Sequence, residues 1–252
     1  MKRVKKFSYL LILVLFWSCN SENGLNCFQQ AGDIVQQEFE VQTFEKIIVR
    51  ERTQLILSPG PVQKVVVESG SNLMTDIVVA VINNTLSVVN GNGCNLVRDY
   101  GITKVFVTSP NIKEIRNSSG LEVQSDGILN YPSLVLISDD PDENDQFHID
   151  GDFRLELAVG NLEIIGTGIS NFFLSGTANT AKLEIFNGDG RVEAADLEIG
   201  DLTIFHRGTQ KMIVNPINSI VGEIRGLGDV IAVNEPAIVD VEEFYTGRLI
   251  FE

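Results

Sequence analysis

From residue 36 onward the chain runs in short apolar–polar alternations and never sustains the 3.6-residue period of a helix. Valine and isoleucine fill runs of five to seven residues, and turn formers interrupt them. Nine strands are predicted in the first part: Phe44–Arg50, Thr53–Leu57, Lys64–Ser69, Asp76–Ile82, Thr85–Val89, Lys104–Thr108, Lys113–Arg116, Leu121–Gln124 and Ser133–Ile137. Ser58-Pro59-Gly60-Pro61 is a turn, and Asn83-Asn84 is a two-residue hairpin turn, because Asn tolerates positive φ. All seven prolines fall outside these predicted strands, where a residue with no N–H donor breaks no ladder.

Beyond residue 160 the pattern repeats. Leu162-Glu163-Ile164-Ile165-Gly166 is followed by Leu183-Glu184-Ile185-Phe186 and Leu202-Thr203-Ile204-Phe205, then by Gly222-Glu223-Ile224-Arg225 and Glu243-Phe244-Tyr245. The aligned positions Ile164, Ile185, Ile204, Ile224 and Phe244 are spaced by 21, 19, 20 and 20 residues. One such unit cannot bury its own apolar face, so the period predicts stacked coils with these five side chains as a continuous core column. A leucine-rich repeat would add a regular Asn and a helix to each unit, and neither occurs. The expected fold is therefore all-β, a parallel β-helix solenoid of about 20-residue coils behind a more irregular N-terminal β portion. Ile115 with Asn117-Ser118-Ser119-Gly120 reads as an earlier coil, and the acidic run from Asp139 to Asp145 as a loop that returns at Phe147.

The N-terminus has a different character. Lys2, Arg3, Lys5 and Lys6 precede the apolar run Leu10–Trp17, then Ser18 and Cys19. A basic start, a run too short to span a bilayer and a small residue make an export signal, and Phe16-Trp17-Ser18-Cys19 resembles a lipoprotein lipobox. The expected organisation is a signal peptide at 1–18, lipidation at Cys19, a polar tether at 19–35 and one domain at 36–252 with its acidic loop at 139–146. The formal net charge is −15, and loss of the four leader cations makes the mature chain more acidic still. Such a surface disfavours nucleic acid as a partner. In an oxidising compartment the remaining Cys27 and Cys94 are expected to pair as a disulfide.

The stretch from Gly91 to Gly101, Lys104-Val105-Phe106-Val107-Thr108-Ser109-Pro110-Asn111 and Ile112 through Gly120 resemble the putative auto-transporter adhesin head GIN domain of Bacteroidetes-type lipoproteins. Phe44-Glu45-Lys46-Ile47 and Asn72-Leu73 fit the same pattern, over roughly 40–245. The resemblance implies a right-handed parallel β-helix in the cell envelope, with no catalytic residues to carry over.

Known catalytic signatures are missing: no Gly-x-Ser-x-Gly, no His-Glu-x-x-His and no phosphate loop occur. His148 and His206 are expected on the surface. Glu163 and Glu184 hold the same place in the repeat, so stacking could bring two carboxyls to glycosidase spacing. Asp140, Asp142 and Asn144 have a calcium-loop spacing, but Asp145 stands where an EF-hand needs glycine and Gly151 where it needs glutamate. Tyr100, Tyr131, Phe172, Phe173 and Tyr245 are candidate contact aromatics, and on a strand Phe172 and Phe173 must face opposite ways. The expected function is a lipid-anchored, non-catalytic outer-membrane binding or adhesion module with a glycan or protein ligand and no cofactor. The alternative is a carbohydrate-active β-helix enzyme.

Overall fold

The computed structural model describes residues 26–96, 98–142 and 146–252. The described chain is all-β, with two single-turn 3₁₀ helices and no α-helix. Ten strands precede the acidic loop: β1 (Ile34–Phe39), β2 (Lys46–Arg50), β3 (Thr53–Pro59), β4 (Lys64–Gly70), β5 (Ile77–Ile82), β6 (Thr85–Asn90), β7 (Thr103–Ser109), β8 (Glu114–Ser118), β9 (Val123–Ser125) and β10 (Leu129–Ser138). Seven follow it: β11 (Phe153–Gly166), β12 (Phe172–Ile185), β13 (Val192–His206), β14 (Met212–Ile224), β15 (Val230–Ala232), β16 (Ile238–Glu243) and β17 (Leu249–Phe251). All seventeen belong to one sheet.

Strands β11 to β14 pair in parallel over most of their length. Phe153 lies opposite Phe172, then come Val192, Met212, Val230 and Leu249, at steps of 19, 20, 20, 18 and 19 residues. Each long strand bends once or more, and the burial pattern shows where. In β11 the buried residues are Phe153, Leu155, Leu157 and Val159, then Leu162 and Ile164. The alternation slips by one position at Gly160-Asn161, so both halves of the strand face the same interior. Strand β12 slips in the same way between Ala178 and Ala181. Phe153 and Phe172 stack on adjacent rungs at 4.9 Å between centroids.

The predicted core column needs correction. The ladder through Ile164 continues to Leu183, Ile204 and Gly222, whereas Ile185 lies opposite Gly166, His206 and, one rung on, Ile224. The four isoleucines are buried but alternate between two neighbouring columns, because the step between coils varies by two or three residues. Phe244 belongs to neither. It follows Glu243, the partner of Ile224, and is 49% exposed.

The first part mixes directions. Strand β2 pairs in parallel with β6 and β8, and β3 with β7 and β9, so Ile47, Ile115 and Leu136 stack. In contrast, β4 runs antiparallel to β1 and β7, and β5 to β6. Asn83 and Asn84 both adopt positive φ in the β5–β6 turn, as the hairpin requires. Glu51 and Arg52 do so as well, at the corner between β2 and β3, where nothing in their side chains announces it.

Three other expectations change. The predicted tether at 19–35 runs too far, because residues from 26 onward are part of the domain. Cys27 is disulfide-bonded to Cys94, Gln29 donates to the Asn72 carbonyl, and β1 starts at Ile34. With 67 residues between its ends, the disulfide constrains the unfolded chain by about 4 kcal/mol in the chain-entropy account. Prolines do enter strands: Pro59 closes β3, Pro132 sits in β10, and Pro216 is in β14. Pro132 falls at a bend opposite Gly160, whose absent Cβ would meet the Pro132 carbonyl oxygen at 2.5 Å. Finally, the signal peptide and Cys19 lie outside the described residues.

Candidate functional site

Since the inward positions are filled by core, the outward ones are what the molecule can offer a partner. Two outward features stand apart from the ordinary polar exterior. The first lies on the early halves of β11, β12 and β13. Arg154, Phe173 and Glu193 occupy successive rungs of one column. The Arg154 guanidinium lies 4.2 Å from the Phe173 ring centroid, and its Nε donates to Glu122 at 3.0 Å. Glu193 pairs with Arg191. Between β12 and β13 the register then slips: Phe173 faces Glu193, but Ser175 faces Asp196. Strand β13 thus carries one extra residue, a bulge of the kind that re-aims side chains. Beside it opens a concavity of about 370 Å³ lined by Ser125, Arg154, Glu156, Phe173, Ser175 and Asp196. Hydroxyls, carboxylates, a guanidinium and a ring edge suit a polar, hydroxyl-rich ligand better than an apolar one.

The second feature runs along the corner after β11, β12, β13, β14 and β16. Backbone N–H groups of Phe186, Arg207, Arg225 and Phe244 donate to the carbonyls of Gly166, Ile185, His206 and Ile224, extending the ladder one residue past the strands. These four side chains therefore form one exterior column. Phe186 also meets Phe205 at 5.3 Å, and Arg225 lies 3.8 Å over the Phe244 ring. Arg225 binds Glu223 through Nε, and this bond leads the causes that hold its pKa above the ordinary arginine value, with Glu242 contributing.

The carboxylates singled out from the repeat do not meet. Glu163 lies opposite Lys182, and Glu184 opposite Ile165 and Phe205. Lys182 bridges both, at 3.7 Å to Glu163 and 2.8 Å to Glu184. Two carboxylates sharing one lysine are an exterior ion network.

Of the calcium candidates, Asp140 is buried with an unpartnered Oδ1, Asp142 is exposed, and Asn144 lies outside the described residues. No cluster of three or more His, Cys, Asp or Glu among the described residues is arranged to hold a metal ion. The loop is instead held at its base. Phe147 lies under Arg50 and Arg116, at 4.7 and 4.4 Å, while Arg50 donates to the Gln146 carbonyl and Arg116 to that of Asp139.

His206, expected at the surface, is fully buried. It takes an inward position between Ile185 and Ile224, and its Nε2 lies 2.8 Å from the Gln210 carbonyl while Nδ1 has no partner. Burial pushes its pKa down; the Gln210 hydrogen bond and nearby Asp229 oppose that shift. The imidazole is thus neutral in the folded state, with Nε2–H donating. A depressed folded pKa gives stability that is complete above the ordinary histidine value near 6.5 and is lost as pH falls below it. Urea unfolding between pH 7 and 5 should show wild type losing more stability than His206→Leu; parallel curves would contradict this. His148 is exposed, 3.3 Å from Glu51.

Among the aromatics, Phe172 is buried and Phe173 faces outward, as alternation requires. Tyr131 is core, its phenol pushed up to about 12 by burial. Tyr100 and Tyr245 are exposed. Sequence reading missed both exterior features. The bulge left one trace, a three-residue gap between the inward Ala194 and Leu197 where two is the rule. The corner column could have been found by aligning the residue after each repeat anchor.

Stacked parallel rungs, a filled interior and a patterned exterior define a class: an all-β module whose only large resource is its outer surface. The chain belongs to the family described as putative auto-transporter adhesin, head GIN domain, whose model matches residues 43–236. It is similar in fold to a putative adhesin from Bacteroides fragilis, with 21% identity over 88% of this chain and 99% of that one and a TM-score of 0.78. A putative adhesin from Parabacteroides merdae (16% identity, 88% and 97% covered, TM-score 0.62) and a putative lipid binding protein from Parabacteroides distasonis (14% identity, 88% and 97% covered, TM-score 0.60) share the fold. The comparison with curated proteins finds no match.

Proposed function

We propose that this chain is a lipid-anchored, non-catalytic binding or adhesion module of the outer membrane, built as a right-handed parallel β-helix. The parallel registers at steps of 18 to 20 residues support the helix, and parallel crossovers are overwhelmingly right-handed. Family membership supports the envelope setting. The basic, apolar, Ser18-Cys19 sequence supports the anchor. The observation that carries the binding reading is the concavity at the β13 bulge, where Arg154, Glu156, Phe173 and Asp196 converge on solvent from three coils. A glycan or protein is the fitting ligand class, and neither nucleic acid nor a cofactor enters.

The experiment is an array of glycans and matrix proteins probed with the chain carrying Cys19→Ser, alongside Phe173→Ala and Asp196→Asn. Saturable binding weakened by either substitution is expected; binding that both variants retain in full would remove the concavity from the account. For the anchor, Cys19→Ala should shift the protein out of the membrane fraction, and unchanged partition would contradict lipidation.

A second reading has one observation in its favour. Glu156, Ser175 and Asp196 lie on successive rungs, so the two carboxylates stand about two rungs, ~10 Å, apart, near the upper end of the spacing for inverting glycosidases. Hydrolysis of a bound glycan that disappears in both Glu156→Gln and Asp196→Asn would establish an enzyme.

A further inference from the structure

We infer that the corner column Phe186–Arg207–Arg225–Phe244 is a binding strip for a carboxylate-bearing polysaccharide lying along the coil axis. The inference rests on the binding-module reading and names the ligand chemistry of a second surface within it.

Charge is the first argument. The chain carries 34 acidic and 19 basic residues, so two arginines on adjacent rungs run against its overall sign. Their column positions are about one rung, ~4.8 Å, apart, and like charges at that distance repel unless an anion lies between or across them. Arg207 is exposed and makes no ion pair or side-chain hydrogen bond among the described residues. Its carboxylate neighbours are already engaged, Glu184 by Lys182 and Glu223 by Arg225. Arg225 uses Nε for Glu223, and its Nη groups make no hydrogen bond among the described residues. The strip therefore keeps unspent guanidinium donors in a planar fork that matches a carboxylate.

Shape is the second argument. Phe186 and Phe244 flank the arginine pair in the same column, 38% and 49% exposed, with Phe205 tilted against Phe186. Exposed rings bracketing a cation pair offer apolar faces to the C–H faces of sugar rings while the guanidiniums take the carboxylates. The rung spacing is comparable to the advance of one sugar unit in an extended chain. An acidic peptide would satisfy the arginines equally but would leave the flanking rings without a repeating partner.

The test uses the chain with Cys19→Ser, and polygalacturonate, polysialate, polyglutamate and fully methyl-esterified polygalacturonate as probes in biolayer interferometry. At least one carboxylated polysaccharide should bind, with affinity falling about tenfold in the double variant Arg207→Gln/Arg225→Gln. Arg207→Lys/Arg225→Lys should recover part of the loss, and the esterified polymer should bind at background. All four substituted positions are exposed or column-edge sites, so unchanged thermal unfolding confirms the variants are folded. Binding to neither carboxylated polysaccharide, equal binding of the ester, undiminished binding by the Gln variant, or preference for polyglutamate would each overturn the inference. Glycan-array binding that survives the Gln variant but not Phe173→Ala would overturn it while leaving the binding-module reading intact.

Discussion

Ile204→Asp is expected to abolish cooperative folding. Ile204 is 2% exposed and sits between Leu183 and Gly222 on neighbouring rungs, with apolar side chains across the interior. A carboxylate there has no counter-ion and no route to water. Burying it unpaired costs several kcal/mol even after the group protonates, comparable to the whole stability of a typical domain. The damage also spreads, because each rung of a stacked sheet is covered only by its two neighbours, so a broken rung exposes the next. Circular dichroism through a urea series is the check. Loss of the sigmoidal transition is expected, and a soluble variant with a wild-type midpoint would show that this position is not interior.

The second large effect separates two adjacent phenylalanines. Phe172 is buried and stacked on Phe153 at 4.9 Å, whereas Phe173 points outward beneath Arg154. Phe172→Ala removes a ring from a filled interior and leaves a cavity, for an expected loss of about 3–5 kcal/mol. Phe173→Ala removes an exterior ring and its cation–π contact, for about 1 kcal/mol or less. Denaturant midpoints measure both. Equal losses would mean that the strand does not alternate faces here.

Much of the architecture was legible because a β-strand has a rigid two-residue period. All nine strands predicted before the acidic loop are present within a few residues, and Asn83-Asn84 turns as its side chains predict. The coil repeat was legible for the same reason, since a unit that cannot bury its own face must repeat to be stable. Exact register was not. Coils differ by one or two residues, and inserting a single residue moves a side chain to the opposite face. That is why Ile164 and Ile185 align in sequence yet lie in neighbouring columns, and why Phe244 falls outside.

His206 was misplaced by its neighbours in sequence. Beside Arg207 and Gly208 it resembles a corner residue, but it is the last inward position of β13, and Gly208 and Gly228 make room for its ring. The antiparallel departures of β1, β4 and β5 carried no distinguishing signal, because parallel and antiparallel strands share one alternation. The binding surfaces were the least legible part. Arg154, Phe173, Asp196, Arg207 and Arg225 are far apart in the chain and become neighbours only through coil-to-coil register.

Everything above rests on coils stacked in that register. Ser133, Asn161, Thr180, Asp201, Ser219 and Ile238 occupy successive rungs at one corner of the sheet. Electron-spin distance measurements with one label at Ser133 and a second at Thr180, Asp201, Ser219 or Ile238, in turn, read the stacking directly. Backbone separations of about 10, 14, 19 and 24 Å are expected, an increase of one rung each time. A separation that fails to grow along that series would contradict the stacked-coil account and both binding surfaces built on it.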